Sequence, residues 1–230
     1  MSTPRRLDGM AWPDVGDARG AGVLVVPVGS TEQHGPHLPF TVDTEIAVAL
    51  AEALVDRRGG TVLAPAVPYG SSGEHAGFPG TLSIGQAATE LLIVELVRSA
   101  DVFDGVLLVS GHGGNAVPLR AAVARLCAEG RRVRAWAPAG AAEDSHAGRV
   151  ETSVMLALRP AAVKTAAAAA GDRRPLREIL PELRASGVRA VSPNGVLGDP
   201  SGASAAWGRT VLSRWTDDLL AAFDDWRSHD

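Results

Sequence analysis

The sequence predicts an α/β fold, a three-layer sandwich in which a mostly parallel central sheet is flanked by helices. Two observations predict it. Short runs of strand-forming residues alternate with longer runs of helical periodicity, the pattern of strand–helix–strand units. The 230 residues are 46% hydrophobic with apolar runs spread evenly along the chain, which suits one sizeable core and a single domain over residues 1–230. No internal repeat and no second domain is visible.

Taken in order, residues 23–28 read as the first strand, an apolar run that belongs in the core, and residues 44–58 as the helix after it. A strand at 62–65 follows, then a Gly- and Ser-rich stretch at 68–85 that reads as a long ordered loop, able to cover a site or meet a neighbouring subunit. Residues 86–99 form the next helix. The strand at 106–110 is the most apolar, and the helix at 116–129 opens directly behind it. A strand at 133–137 and a helix at about 149–158 complete the alternation. The alanine run at 166–170 is a helix tail or a linker. A short helix is expected at 175–185 and a loop at 192–208. An amphipathic helix at 210–226 closes the chain, with Leu212, Trp215, Leu219 and Phe223 on one face. Right-handed crossovers gather the loops at the strand carboxyl ends on one rim, where ligands of open α/β sheets bind.

Composition excludes several classes. The net charge is −4, and the scattered basic residues are nearly all Arg, with Lys164 the only lysine, so no basic stripe invites nucleic acid. No run approaches the roughly 18 apolar residues of a membrane span, and no apolar region backs the N-terminal arginines. A cytoplasmic protein without a membrane partner is expected. Cys127 is the only cysteine, which leaves no disulfide framework and no thiolate zinc site, and it is expected as a small core residue.

Chemistry concentrates in three segments. Glu32 and His34 lie two residues apart just past the first strand, so in extended chain they face one cavity, and Asp43 follows nine residues beyond His34. Each is expensive to bury unless paired or coordinated. Carboxylate and imidazole without thiolate suit zinc, iron(II) or manganese, and one carboxylate can bridge two cations through its two oxygens. The second segment is Gly111-His112-Gly113-Gly114-Asn115, where a strand gives way to a helix. His112 is placed as a ligand there, and Gly113 and Gly114 let backbone or substrate approach closely. The third runs from Asp144 to Thr152. His146 and Glu151 would stand about 140° apart on one helix, so they converge only if His146 precedes the helix and Glu151 sits in its first turns. Glu74 and His75, in the long loop, are expected to line substrate or an interface. His37 reads equally as a support to the ligands or a surface residue, His229 as inert, and Trp207, Trp215 and Trp226 as packing.

These segments together resemble the creatininase family of metal-dependent amidohydrolases. The resemblance rests on Val-Gly-Ser-Thr-Glu-Gln-His-Gly-Pro-His at 28–37, Asp43, Gly-His-Gly-Gly-Asn at 111–115 and His-Ala-Gly-x-x-Glu-Thr at 146–152, with a weaker echo at 195–200. It implies two divalent metal ions per subunit (Zn2+, Fe2+ or Mn2+), with Asp43 bridging, Glu32 and His112 on one and His34 on the other. Creatininase itself has a glutamate two residues after the histidine matching His112, where this chain has Gly114. The second metal must find another acid, and Glu151 is the nearest candidate. The departure argues against creatinine as substrate. The segment 68–85 is similar to a peptide-maturing branch of the family, which implies as substrate a modified precursor peptide, ribosomally made, with its last two residues, Val and Tyr, decarboxylated and cross-linked. The alternative within the family is hydrolysis of a small cyclic amide or formamide. His146 is then the expected catalytic proton carrier to the leaving amine. Family relatives assemble into rings, which implies a homo-oligomer.

Overall fold

The computed structural model describes residues 5–16, 20–140 and 144–228. Five strands form one sheet: β1 (Arg5–Arg6), β2 (Val23–Val28), β3 (Thr61–Leu63), β4 (Gly105–Ser110) and β5 (Val133–Trp136). Their order is β1-β3-β2-β4-β5, and every pairing is parallel. The helices are α1 (Trp12–Val15), α2 (Val42–Val55), α3 (Gly85–Arg98), α4 (Ala116–Ala128), α5 (Arg149–Leu158), α6 (Leu176–Ser186), α7 (Val188–Val191) and α8 (Ala205–Ser228).

Strand alternation divides the core into two layers. Val23 and Val25 of β2 and Leu107 and Val109 of β4 point to one face, where they meet Ile46 and Leu50 of α2, Met155 of α5 and Leu219 of α8. Leu24, Val26, Val106 and Leu108 point to the other, against Ile93 and Val97 of α3 and Leu119 and Leu126 of α4. All six residues of β2 and of β4 are buried, which explains why both strands read as unbroken apolar runs. This is the three-layer sandwich that the alternation predicts.

Differences from expectation are local. The two-residue strand β1 and the one-turn helices α1 and α7 carry too little periodicity to be read from sequence. Helix α2 starts at Val42 rather than at 44, which brings Asp43 into its first turn. Helix α8 starts at Ala205 rather than at 210. Its Gly208 lies so near α5 that an added Cβ would strike the Ser153 carbonyl oxygen. Cys127 is exposed, not a core residue. The buried face of α4 runs through Leu119, Ala122 and Leu126, and the next position is turned about 100° away from it. His229 lies outside the described residues.

Two glycines bring α2 to the sheet. A Cβ on Gly29 would lie 2.6 Å from the Thr44 backbone nitrogen, and one on Gly111 would lie 2.9 Å from the Asp43 carbonyl carbon. Bare backbone at the ends of β2 and β4 therefore lets the first turn of α2 seat between them. That turn carries Asp43 to the rim where the loops after β2 and β4 meet.

Candidate metal centre

Four chain segments converge at this rim. Glu32 and His34 arrive on the loop after β2, Asp43 on the first turn of α2, His112 directly after β4, and Glu151 on the first turn of α5. Glu32, His34, Asp43 and His112 are all buried. His34 Nε2 lies 3.2 Å from Asp43 Oδ1 and 3.9 Å from Glu151 Oε2. His112 Nδ1 lies 3.2 Å from the other Asp43 oxygen, Oδ2, and its Nε2 lies 3.2 Å from Glu32 Oε2. Three sets among the described residues have ligand atoms within 4.8 Å of one another: Glu32–Asp43–His112, His34–Asp43–Glu151 and Glu32–His34–His146. The first two share Asp43.

The carboxylate of Glu32 is the clearest sign of a cation-binding site. It is buried, and neither oxygen has a hydrogen-bond partner. The nearby nitrogens of His112 and His75, at 3.2 and 3.4 Å, form no hydrogen bond with it, and that of His146 lies 3.7 Å away. An unsatisfied buried carboxylate is costly unless something positive sits against it. The ring of His34 is oriented from behind. Its Nδ1 lies 3.1 Å from the Glu32 carbonyl, which can only accept, so Nδ1 carries the proton and Nε2 is presented to Asp43 and Glu151. Ser30 donates to Asp43 Oδ2 at 2.5 Å and fixes that carboxylate in turn. This donor set fits a divalent metal.

Electrostatics of the metal-free centre follow from burial and proximity. Burial raises the Glu32 carboxyl to about 7, with the His112 charge opposing. Burial also works against the charged form of Asp43, but the His34 and His112 cations outweigh it and hold Asp43 well below the usual carboxylate range. Those two imidazoles are raised to about 10 against burial, His34 chiefly by Asp43 and His112 by Glu32 and Asp43. Burial likewise raises Glu151.

His146 sits where convergence requires it. It precedes α5, bridges to Leu197 in the 195–200 segment, and stacks between His34 and His75 with ring centroids 4.3 and 4.4 Å away. Its Nε2 lies 2.8 Å from the Gln33 carbonyl, an obligate acceptor, which puts the proton on Nε2 and turns Nδ1 toward Glu32. Burial and the neighbouring His34 cation hold it well below the ordinary imidazole range. Ahead of α5, Asp144 accepts from the Arg149 and Val150 N–H groups at 2.9 and 2.7 Å. Ala147 takes a left-handed φ of 53° and donates its N–H to Glu151 Oε2 at 2.5 Å. Strain of this kind is held only where surrounding contacts demand it.

The long loop covers the centre. Ser71 accepts from His112 Nε2 through its carbonyl at 2.9 Å. His75 is buried and directs Nε2 at Glu32. Glu74 stays partly exposed, 3.9 Å from His112 Nε2. A Cβ on Gly114 would collide with the His112 ring and the Ser71 carbonyl and lie 2.7 Å from Glu74 Oε1, so the loop fills the space a side chain there would need. Gly113 has open space around it.

His37 is buried against Thr152 of α5, 2.9 Å from its hydroxyl, and belongs to none of the three sets. Sequence reasoning missed Gln33. Its amide donates to His75 Nδ1 at 2.8 Å and the Gly195 carbonyl at 3.0 Å, and its oxygen accepts from Gly35 at 2.8 Å. Asn115 was missed as well: it ties Gly29 to Ser71, joining the loop after β2 to the long loop. Both lie inside quoted motifs, but an amide gives no chemical signal of its own.

Fold and site together define a metal-dependent amidohydrolase built on a parallel α/β sandwich, and the chain belongs to the creatininase family. A family profile described as "Creatininase: Creatinine amidohydrolase" matches residues 8–223. The chain is 47% identical over 213 residues to a protein of Mycobacterium ulcerans (strain Agy99) named mycofactocin precursor peptide peptidase, covering 88% of this chain and 85% of that one. It is also 47% identical over 212 residues to the protein of the same name from Mycolicibacterium smegmatis (strain ATCC 700084 / mc(2)155), covering 89% and 85%. Creatinine amidohydrolase of Pseudomonas putida is 32% identical over 107 residues, 44% of this chain and 41% of that one. Among solved structures, creatinine amidohydrolase (creatininase) superposes with a TM-score of 0.78 at 24% identity, covering 97% of this chain and 98% of the other. One described as "Creatininase Mn" gives 0.79 at 22%, with the same coverage. These two likenesses establish the fold.

Proposed function

We propose that this protein is a metal-dependent peptidase that releases the modified C-terminal Val-Tyr dipeptide from the mycofactocin precursor peptide. The observation that carries the proposal is the 47% identity to two proteins of that name, across 88% or more of this chain. The match to creatinine amidohydrolase spans only 107 residues, and Gly114 leaves no acid two residues after His112.

Glu32, Asp43 and His112 would hold one divalent cation (Zn2+, Fe2+ or Mn2+), and His34, Asp43 and Glu151 would hold a second. When bound, such a pair lowers the pKa of a water and polarises the scissile carbonyl. The chain's own residues do the rest. Ser30 and the Glu32 carbonyl hold Asp43 and His34 in register. His146, neutral with its proton on Nε2, takes at Nδ1 the proton given up by the attacking water and passes it to the leaving amine. Glu74 and the open backbone at Gly113 border the substrate, with Gly114 packed beneath the His112 ring and the Ser71 carbonyl. The long loop shields the centre from bulk water, which strengthens every charge interaction within it.

The active protein is one domain over residues 1–230, a homo-oligomer of the cytoplasm. No helix among the described residues is long and apolar enough to cross a membrane. Incubating metal-loaded protein with modified precursor tests the activity. Mass spectrometry should find the dipeptide-derived product and the shortened peptide. Turnover of creatinine or a formamide with an untouched peptide would replace this reading with the small-amide one.

A further inference from the structure

A cavity of about 620 Å3 lies beside the metal centre and shares only His112 with its candidate ligands. Its volume is in the range of ligand sites. Ser110, His112 and Gly113 border one end, and Trp226 of α8 borders it with Arg120 and Ala124 of α4. Its wall also contains Val133, Arg134, Ala135, Trp136 and Ala137 in succession. Successive strand residues point to opposite faces, so a cavity that touches all five runs along the edge of β5 and not over one face.

Among the described residues that edge is open: β5 is the last strand, paired only to β4. The Val106 N–H donates to the Arg132 carbonyl at 3.0 Å, so alternation turns the backbone groups of 132, 134 and 136 toward β4 and those of Val133, Ala135 and Ala137 outward. The Val133 carbonyl receives the Cys127 thiol at 3.8 Å, and no described residue pairs with the outward groups of Ala135 and Ala137.

We propose that this cavity is the subsite for the precursor chain on the N-terminal side of the cleaved bond, taken up in extended form as an added strand beside β5. The inference rests on the peptidase reading. A row of unpaired amides recognises main chain, and pockets beside it take alternate side chains. About five residues at roughly 3.3 Å each fit along this edge, whereas only two residues follow the scissile bond, so the longer, N-terminal part must lie here. The carboxyl end of β5 lies at the same rim as His112, which leads a strand bound there toward the metal centre. Arg120, exposed and paired with no acid among the described residues, offers a guanidinium to a carboxylate of the peptide. Ala124, Trp136 and Trp226 supply apolar contact. A small cyclic amide would need none of this.

Ala124→Trp fills the cavity from an exposed helix position, and Arg120→Glu reverses its charge. Binding of fluorescently labelled, unmodified precursor is read by anisotropy. KM is read for full-length modified precursor and for a short peptide carrying the same modified pair but no upstream chain. Ala124→Trp should weaken binding and raise KM for the full-length peptide about tenfold or more, with kcat/KM for the short peptide within about twofold. Arg120→Glu should do the same more mildly. Unchanged binding and KM for the long peptide would overturn the proposal. So would a loss of oligomer mass in Ala124→Trp by light scattering, since that makes a second copy the occupant of the edge. Should the parent protein bind precursor without cleaving it, while Ala124→Trp still weakens binding, the peptidase reading fails and the subsite stands.

Discussion

Replacing Glu32 with Gln separates what the centre costs the fold from what it does. Burial raises this carboxyl from 4.5 to about 7 in the metal-free protein. One pKa unit is about 1.36 kcal/mol, so keeping Glu32 ionised in the fold at pH 8 costs on the order of 3 kcal/mol. A folded-state pKa above the unfolded one means that the fold binds this proton more tightly. The cost is therefore absent below about pH 4.5, grows from there, and is complete above about pH 7. A neutral amide avoids it. Metal-free Glu32→Gln should be more stable than the parent at pH 8 by up to about 3 kcal/mol, roughly 6–12 °C in Tm for a chain of this length. The gap should close toward pH 5. Added Zn2+ or Mn2+ should reverse the order, because a ligand that binds only the folded state stabilises it and the variant has lost a donor. Thermal unfolding by circular dichroism, first with chelator and then with metal, at both pH values, checks each part. A variant less stable than the parent in chelator at pH 8, or a gap that ignores pH, would refute the reasoning.

Asp43→Asn removes the acid common to two candidate ligand sets, so bound metal should fall at both positions and activity by about 10³-fold, measured by metal analysis and steady-state turnover. Retention of both metals would deny that Asp43 is shared. His34 and His112 are raised to about 10 in the metal-free centre and must give up protons to become ligands, so metal affinity should strengthen as pH rises from 6 to 9. Calorimetry in buffers of different ionisation heat should detect protons released on binding, and no release would contradict the assignment. Gly114→Ala places a Cβ against the His112 ring and the Ser71 carbonyl. It should lower metal affinity about 10–100-fold through the displaced histidine, with about 1–3 kcal/mol lost from stability. Parent-like affinity would mean that the long loop yields freely.

What could be read from sequence follows the strength of the local signal. β2 and β4 were legible because burial on both faces favours unbroken apolar runs, Val23–Val28 and Val106–Val109. The span of α5 emerged from its apolar period, and helix geometry set the condition, met in the structure, that His146 precede the helix and Glu151 sit in its first turn. Glu32, His34, Asp43 and His112 were candidates from residue type and position, and Glu151 as a ligand of the second metal came only from the family resemblance; the structure brings all five to one rim. Other features depend on tertiary contact. The two-residue β1 exists only by pairing with β3. Cys127 was misjudged because one step around a helix decides between core and water. The support given by Gln33 and Asn115 runs through backbone groups up to 162 residues away, as between Gln33 and Gly195, which no short window contains. The closeness of Gly111 to Asp43, which seats α2, likewise appears only once the sheet is formed.

Anomalous diffraction from crystals of the metal-loaded protein tests the central claim most directly. Two peaks should flank the Asp43 carboxylate, one bounded by Glu32 and His112 and the other by His34 and Glu151. A single peak, or density out of reach of Asp43, would contradict it.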